Sequence, residues 1–335
     1  MIMNVNRRIE NCRNKDGFIN MDKLINYKEK GIAPEGSNAK SWYNVNGTRV
    51  LYKEYGNILA CFGEVMYYRA ALMCGVDCAQ YDFAICEGKV GTISYDFLNV
   101  DECYYNFLEL TSQFGDSNFD LENITSNQEL LIIQNNKYNN LISIRALLGK
   151  LFHVSKEQKR EIERGLIKLF CLDTLFWHQD RTLWNNGIAV DEEEDTSRLA
   201  PAHDNSYVLC LNRGADYIEE CIIDFINGGV MGNNNPKYSS FELVFEGDDS
   251  IEQLINFYEN CDDEMRETIG GVINSLDVDM LLRETMQDCK IGDVPALWIK
   301  AVLNFRKKTI LRGFESVKIK DDEAQMPNVT FSKRK

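Results

Sequence analysis

The rhythm of apolar and polar positions changes near residue 100. Before it, short alternating runs are separated by tight-turn residues. Ser41-Trp-Tyr-Asn-Val45 leads into Asn46-Gly47, the residue pair that a two-residue hairpin turn needs. Thr48 to Tyr55 then alternates and is β-rich, so 41–55 predicts a hairpin. Gly63 to Cys74 carries apolar residues at helical spacing and stops at Gly75, a natural helix end. Tyr81–Cys86, a Glu87-Gly88 turn and Val90–Tyr95 predict a second hairpin. Two hairpins around one helix make a small β-rich unit.

Beyond residue 100 the spacing becomes mainly helical. Ser155 to Trp177 is the clearest case: Ile162, Leu166, Leu169, Phe170, Asp173 and Phe176 or Trp177 fall near one face. Ser155 and Gln158 have the spacing of a capping box. Glu252–Tyr258, Asp263–Leu276 and Pro295–Arg312 predict further amphipathic helices. Residues 1–30 are polar and give little. Gly228 to Pro236 reads as a flexible loop, and the last twenty residues, with Lys318, Lys320 and Lys333 to Lys335, as a loose tail. The pattern predicts an α+β, two-lobed chain: a β-rich N-lobe over 1–98, a mostly helical C-lobe over 99–315 and a flexible tail over 316–335.

Composition narrows the class. With only 5 prolines in 335 residues and no Pro-, Gly- or Ser-rich stretch, a long linker is not expected. A net charge of -15 repels phosphate backbones and anionic lipid, so neither nucleic acid nor membrane is an expected partner. No run approaches the roughly 18 apolar residues of a membrane span. The 11 cysteines are scattered, and Cys74 and Cys78 have no second pair at matching spacing. Free thiols in a reducing cytoplasm fit better than zinc or disulfides, and a cytoplasmic location is expected.

The chemistry sits in three segments. His178-Gln-Asp-Arg-Thr-Leu-Trp-Asn185, followed by Asn186-Gly187, comes directly after the strongest helix. Phosphoryl transfer needs a carboxylate to take the proton of an attacking hydroxyl and an oxygen ligand for Mg²⁺ on the triphosphate. Asp180 and Asn185 have those types, and one loop would hold both on one side of a cleft. Downstream, Leu199-Ala-Pro-Ala-His-Asp204 ends in an acidic residue suited to a hard cation. Ile188 to Val190 between them reads as a strand, and Asp191 to Asp195 as the solvated tip of a hairpin. Lys53 on the strand Val50 to Lys53 would be neutralised by Glu64 at the start of the next helix. Gly36-Ser-Asn-Ala-Lys40 is a small-residue loop able to cover phosphates with backbone N–H groups. Blander readings stand beside these. Asp180 and Asn185 favour turns in any case, a strand lysine often snorkels, and Glu64 suits a helix N-terminus. Arg181, His178 and His203 read as structural support, and Trp177 and Trp184 as core aromatics bracketing the loop.

Taken in order, Gly36 to Trp42, Lys53, Glu64, His178 to Gly187 and Leu199 to Asp204 resemble the HipA-like serine/threonine kinases of bacteria. The likeness is to a shorter branch that lacks the N-terminal HipA subdomain, and it covers about residues 30–210. The resemblance implies a bilobal protein-kinase-like fold, ATP and Mg²⁺ as cofactors, and a protein Ser/Thr hydroxyl as acceptor. It implies Asp180 as catalytic base and Asn185 and Asp204 as magnesium ligands. Lys53, oriented by Glu64, would contact the nucleotide phosphates; Gly36, Ser37 and Lys40 would cover them. Tyr95, Asp96 and Phe97, with Leu98, would form the hinge that meets adenine. Two features depart from the family pattern. His178 and Thr182 stand where the family loop has Asn and His, and Ala33 stands where HipA carries an autophosphorylated serine. A small-molecule kinase of the aminoglycoside or choline type, and a non-catalytic ATP-binding pseudokinase scaffold, are the other readings.

Overall fold

The computed structural model describes residues 7–29, 38–114, 139–151, 154–226 and 249–325. The first hairpin pairs β2 (Lys40–Val45) with β3 (Thr48–Glu54). Asn46 and Gly47 both take positive φ, 54° and 85°, as the predicted turn requires. Helix α2 (Ile58–Cys74) then crosses one face of the sheet. It begins five residues before the expected Gly63, because Asn57 caps it by accepting the Leu59 N–H. It ends at Gly75 in the left-handed conformation. The second hairpin, β4 (Tyr81–Cys86) and β5 (Lys89–Tyr95), turns through Glu87 and Gly88 at φ 51° and 76°. Strand β3 pairs antiparallel with β5, which sets Lys53 opposite Thr92.

The N-terminal segment contributes more than its polar sequence announced. A helical turn, α1 (Arg7–Glu10), a short strand, β1 (Ile19–Asn20), and a 3₁₀ turn (Met21–Tyr27) precede the sheet. Strand β1 joins the sheet edge parallel to β4, giving the order β1-β4-β5-β3-β2. Ile9, Cys12, Ile19, Met21 and Leu24 bury the face opposite α2 together with Tyr43, Val45, Val50, Ile93 and Tyr95. Arg13 fastens the segment through its guanidinium to the carboxylates of Asp82 and Glu10.

The segment 96–101 carries the chain to a second sheet of β6 (Glu102–Asn106), β7 (Gly187–Asp191) and β8 (Thr196–Leu199), all antiparallel. The sequence pattern predicted the β7–β8 hairpin, but not β6. Helices α3 (Phe107–Phe114), α4 (Leu141–Lys150) and α5 (Lys156–Leu175) follow β6. The predicted capping box of Ser155 and Gln158 is present at the start of α5. Four further helices, α6 (Ala215–Ile226), α7 (Ser250–Asn260), α8 (Asp263–Ser275) and α9 (Val278–Asp288), pack with α5 into the main core.

The last helix, α10 (Asp293–Gln325), corrects the expected tail. Residues 316–325 are helical, since Phe314 and Val317, one turn apart, are buried and hold that end to the core. A fully buried apolar side chain contributes about 1.5–3 kcal/mol. The loop expected over Gly228 to Pro236 lies outside the described residues.

Close backbone approach fixes the exit of the loop after α5. A β-carbon on Gly187 would strike the Tyr105 carbonyl and lie 2.8 Å from the Asn106 Cα. A β-carbon on Gly149 in α4 would meet nothing within 4 Å beyond its own helix backbone. Gly187→Ala is expected to destabilise the protein by about 2–3 kcal/mol, and Gly149→Ala to stabilise it by about 0.5–1 kcal/mol. Urea unfolding measures both, and equal midpoints for the two variants would contradict the packing described.

Candidate active site

Strand β3 delivers Lys53 to the α2 side of the first sheet, where its side chain is almost completely buried. A buried ammonium costs several kcal/mol unless it is paired. Lys53 Nζ contacts the Asp204 carboxylate directly and lies 3.8 Å from Glu64 Oε1. Burial opposes its charge, but Asp204 and then Glu64 more than offset this and hold the proton on. Glu64 is fully buried in α2. Its carboxylate accepts from the Tyr55 hydroxyl at 2.6 Å, the Thr92 hydroxyl at 2.8 Å and the Asn205 N–H at 3.3 Å. Glu64 therefore does more than orient Lys53: it joins α2, both neighbouring strands and the segment after Asp204.

Asp204 sits in the left-handed region at φ 56°. That conformation costs a non-glycine residue about 1–2 kcal/mol and persists only where the surroundings demand it. Its own N–H donates to the Tyr81 hydroxyl at 3.0 Å. The carbonyl of His203 before it accepts from Arg181 at 2.9 Å. Burial alone would raise the Asp204 carboxyl; Lys53, then Lys40, pull it well below the ordinary range. Lys40 lies opposite Lys53 across the β2–β3 pair. Burial lowers its proton affinity, Asp204 restores part of it, and Lys53 repels it.

The loop after α5 turns at Trp177, whose φ is 46°. His178, where the family pattern has Asn, accepts the Asp180 N–H on Nδ1 at 3.1 Å and so supports the loop. Asn139 donates to the Arg181 carbonyl at 2.8 Å from the other side. Asn185 donates through Nδ2 to the Asp180 carbonyl at 2.8 Å and to Asp180 Oδ2 at 3.2 Å. This turns the amide oxygen of Asn185 away from Asp180. Burial first, then repulsion by Asp204, push the Asp180 carboxyl up to about 6, against the pull of Arg181, Lys53 and the Asn185 bond.

The expected hinge is partly committed to the protein itself. The Asp96 N–H donates to the Arg49 carbonyl at 3.0 Å, and the Phe97 carbonyl accepts from Arg198 at 2.9 Å. The Leu98 N–H donates to the Asp96 side chain at 3.2 Å. The Tyr95 side chain belongs to the core on the opposite face of the sheet, away from Lys53. The Phe97 ring stacks on His203 at 5.4 Å, and Tyr104 meets both edge-on. His203 donates from Nδ1 to the Pro201 carbonyl at 3.0 Å and accepts the Tyr104 hydroxyl on Nε2 at 3.3 Å. Burial and then Arg181 keep it neutral, lowered to about 4.

The structure thus gathers Lys40, Lys53, Glu64, Asp180, Asn185 and Asp204 around one centre. Gly36 and Ser37, with Ala33, lie outside the described residues. Trp177 packs against the core as expected, whereas Trp184 is 40% exposed on the loop and is no core aromatic. Tyr55, Tyr81, Thr92 and Asn205 were not foreseen. Only Asn205, directly after Asp204, carried a positional signal.

A β-rich lobe over a helical lobe, with these groups between them, defines a bilobal kinase-like fold. The crystal structure of the proinflammatory kinase CtkA of Helicobacter pylori shares it, with a TM-score of 0.61 and 14% identity, covering 84% of this chain and 95% of that one. HipA of Shewanella oneidensis MR-1, in a structure with HipB and operator DNA, aligns at a TM-score of 0.45 and 12% identity, over 88% of this chain and 68% of that one. No family model and no curated protein sequence matches the chain.

Asp180 yields a stability prediction. Its folded-state carboxyl near 6 lies above the ordinary 3.8, so the folded state holds this proton more tightly than the unfolded chain. The ionised side chain therefore destabilises the fold, with the cost growing from pH 4 upward and complete above pH 6. Asp180→Asn is expected to be more stable than the parent at pH 7.5 by about 1–2 kcal/mol, discounted for partial exposure. The gain should vanish below about pH 4. Denaturant midpoints against pH read this, and a gain that rises on acidification would refute it.

Proposed function

We propose that the protein binds Mg²⁺–ATP between its lobes and transfers the γ-phosphoryl group to a hydroxyl, that of a protein serine or threonine. One observation carries the reading. Lys53 meets the carboxylate of Asp204, 151 residues away, beside the Asp180–Asn185 pair. The ordered motifs that resemble the HipA-like kinases supply the acceptor class, and the CtkA-like fold supports the two-lobed cleft.

The residues divide the work by charge. Asp204 offers a carboxylate and Asn185 an amide oxygen. These are hard donors of the kind Mg²⁺ takes together with substrate phosphates. Bound there, Mg²⁺ would neutralise charge on the phosphates. Lys53 and Lys40 add positive charge at the same point, and Glu64 fixes Lys53. Asp180 keeps one oxygen on Asn185 and has the other for the acceptor hydroxyl. A carboxyl near 6 is ionised at neutral pH, yet more basic than an ordinary aspartate. The acceptor oxygen bonds to the γ-phosphorus, the bond to the β-bridging oxygen breaks, and the hydroxyl proton passes to Asp180. A cytoplasmic setting belongs to the proposal: all 11 cysteines are unpaired, and no described helix is long and apolar enough to cross a membrane.

Incubation of the protein, and of a lysate containing it, with ATP and Mg²⁺ followed by mass spectrometry should reveal phosphorylated Ser or Thr. Asp180→Ala and Asp204→Ala should each lower transfer by about 10³-fold. Full transfer by either variant would end the proposal. Phosphorylation of amino sugars but not of polypeptides would reassign the acceptor, and ATP binding without transfer would mark a scaffold.

A further inference from the structure

We infer that Arg181 is a positioning residue whose guanidinium sets the base-bearing loop against the metal-binding segment. The inference rests on the phosphotransfer reading above. Arg181 is 0% exposed and is among the largest fully buried side chains. Its charge is matched by Asp173 of α5 in a two-pronged pair, Nε to Oδ2 at 2.9 Å and Nη2 to Oδ1 at 3.1 Å. Tyr67 completes that end by donating to Asp173 Oδ1 at 2.6 Å.

Charge matching needs only Asp173, yet the fork reaches further. Nη1 donates to the His203 carbonyl at 2.9 Å and to the Asn185 carbonyl at 3.4 Å. Nη2 donates to Asn205 Oδ1 at 2.7 Å. His203 and Asn205 flank Asp204, while Arg181 itself directly follows Asp180 and Asn185 closes the same loop. One planar group thus touches the backbone of one proposed metal ligand and both neighbours of the other. Asn205 continues the chain of contacts, since its N–H bonds Glu64, which pairs with Lys53. A lysine ammonium is a point charge with three donors and lacks the fixed fork that reaches three segments.

A role in stability alone and a role in positioning predict different results. The full chain is compared with Arg181→Lys and with the double variant Arg181→Met/Asp173→Leu. The double variant leaves no buried charge unpaired and so is expected to fold. In both variants kcat should fall about 100-fold, the loss expected when reacting groups shift by about 1 Å, while the KM for Mg²⁺–ATP rises by no more than the affinity increment that Mg²⁺ gives the parent. Calorimetry of ATP with and without Mg²⁺ gives a readout independent of turnover. ATP alone should bind the variants as it binds the parent, and the tightening that Mg²⁺ brings should be lost. Folded variants that keep both kcat and the Mg²⁺ increment overturn the inference. If both Arg181 variants unfold, Asn205→Ala decides, because it leaves the Arg181–Asp173 pair intact and removes one of Arg181's two acceptors on the metal-side segment, with only the amide's 3.5 Å bonds to Cys78 and the Ala202 carbonyl lost beside it. A kcat about ten-fold lower supports positioning, and an unchanged kcat overturns it. A parent that neither transfers phosphate nor gains ATP affinity from Mg²⁺ would instead remove the phosphotransfer reading, and this inference with it.

Discussion

The structure depends on keeping one ammonium charged where water is nearly absent. Lys53 could not remain ionised there alone, because desolvation would strip its proton. Two carboxylates prevent this, and they come from different parts of the chain: Glu64 from a helix over the sheet, Asp204 from beyond the second sheet. Pairing therefore demands that strand, helix and distant segment arrive in register. The chain carries a net charge of -15, yet Lys40 and Lys53 are gathered beside Asp204. The local field, not the overall charge, sets which ligand the cleft can take.

The helical lobe holds the chemistry in place by buried polar contacts rather than by packing alone. Five residues other than glycine between 177 and 210 adopt left-handed backbone: Trp177, Asp195, Asp204, Leu209 and Cys210. Asp195 lies in the β7–β8 turn, whereas Leu209 is held by its surroundings. The Leu209 carbonyl accepts the Trp298 indole N–H at 2.8 Å, and the Leu209 N–H donates to the Phe176 carbonyl at 3.0 Å. Arg306, farther along the same C-terminal helix, donates to the Thr174 carbonyl at 2.6 Å in the last turn of α5. The final helix thereby grips the turn from which the Asp180 loop departs. Strain near the reacting groups is sustained by contacts remote from them.

What could be read from the chain follows the range of the forces involved. Both hairpins and the α5 cap were legible because Asn46-Gly47, Glu87-Gly88 and Ser155 with Gln158 act over two to four residues. The convergence of Lys53, Asp180, Asn185 and Asp204 was legible because the order of their motifs resembles that of the HipA-like kinases. The cover of the sheet by 7–27 was not. Ile9, Met21 and Leu24 are isolated apolar residues in a polar stretch, and only partners more than twenty residues away explain them. Strand β6 was hidden for a similar reason: Glu102 to Asn106 pairs with β7, more than eighty residues on. Tyr55, Thr92 and Tyr81 became functional neighbours only through folding, their hydroxyls being ordinary in sequence.

Three carboxylates near one cation do not behave alike, and under the proposed function the difference divides their work. Glu64 spends its oxygens on two hydroxyls and a backbone N–H and so serves as a fixed strut. Asp204 touches Lys53 and is held in its anionic form, as a cation ligand requires. Asp180 is half-withdrawn from water, feels Asp204 as a like charge, and is left with a raised affinity for a proton. Environments that drive neighbouring acids apart separate a proton acceptor from a metal ligand. The arrangement works only while the distance between Asp180 and Asp204 is held, since their repulsion tends to open it. Arg181, bonded to the Asn185 and His203 carbonyls and to the Asn205 side chain, ties the two segments together against that repulsion.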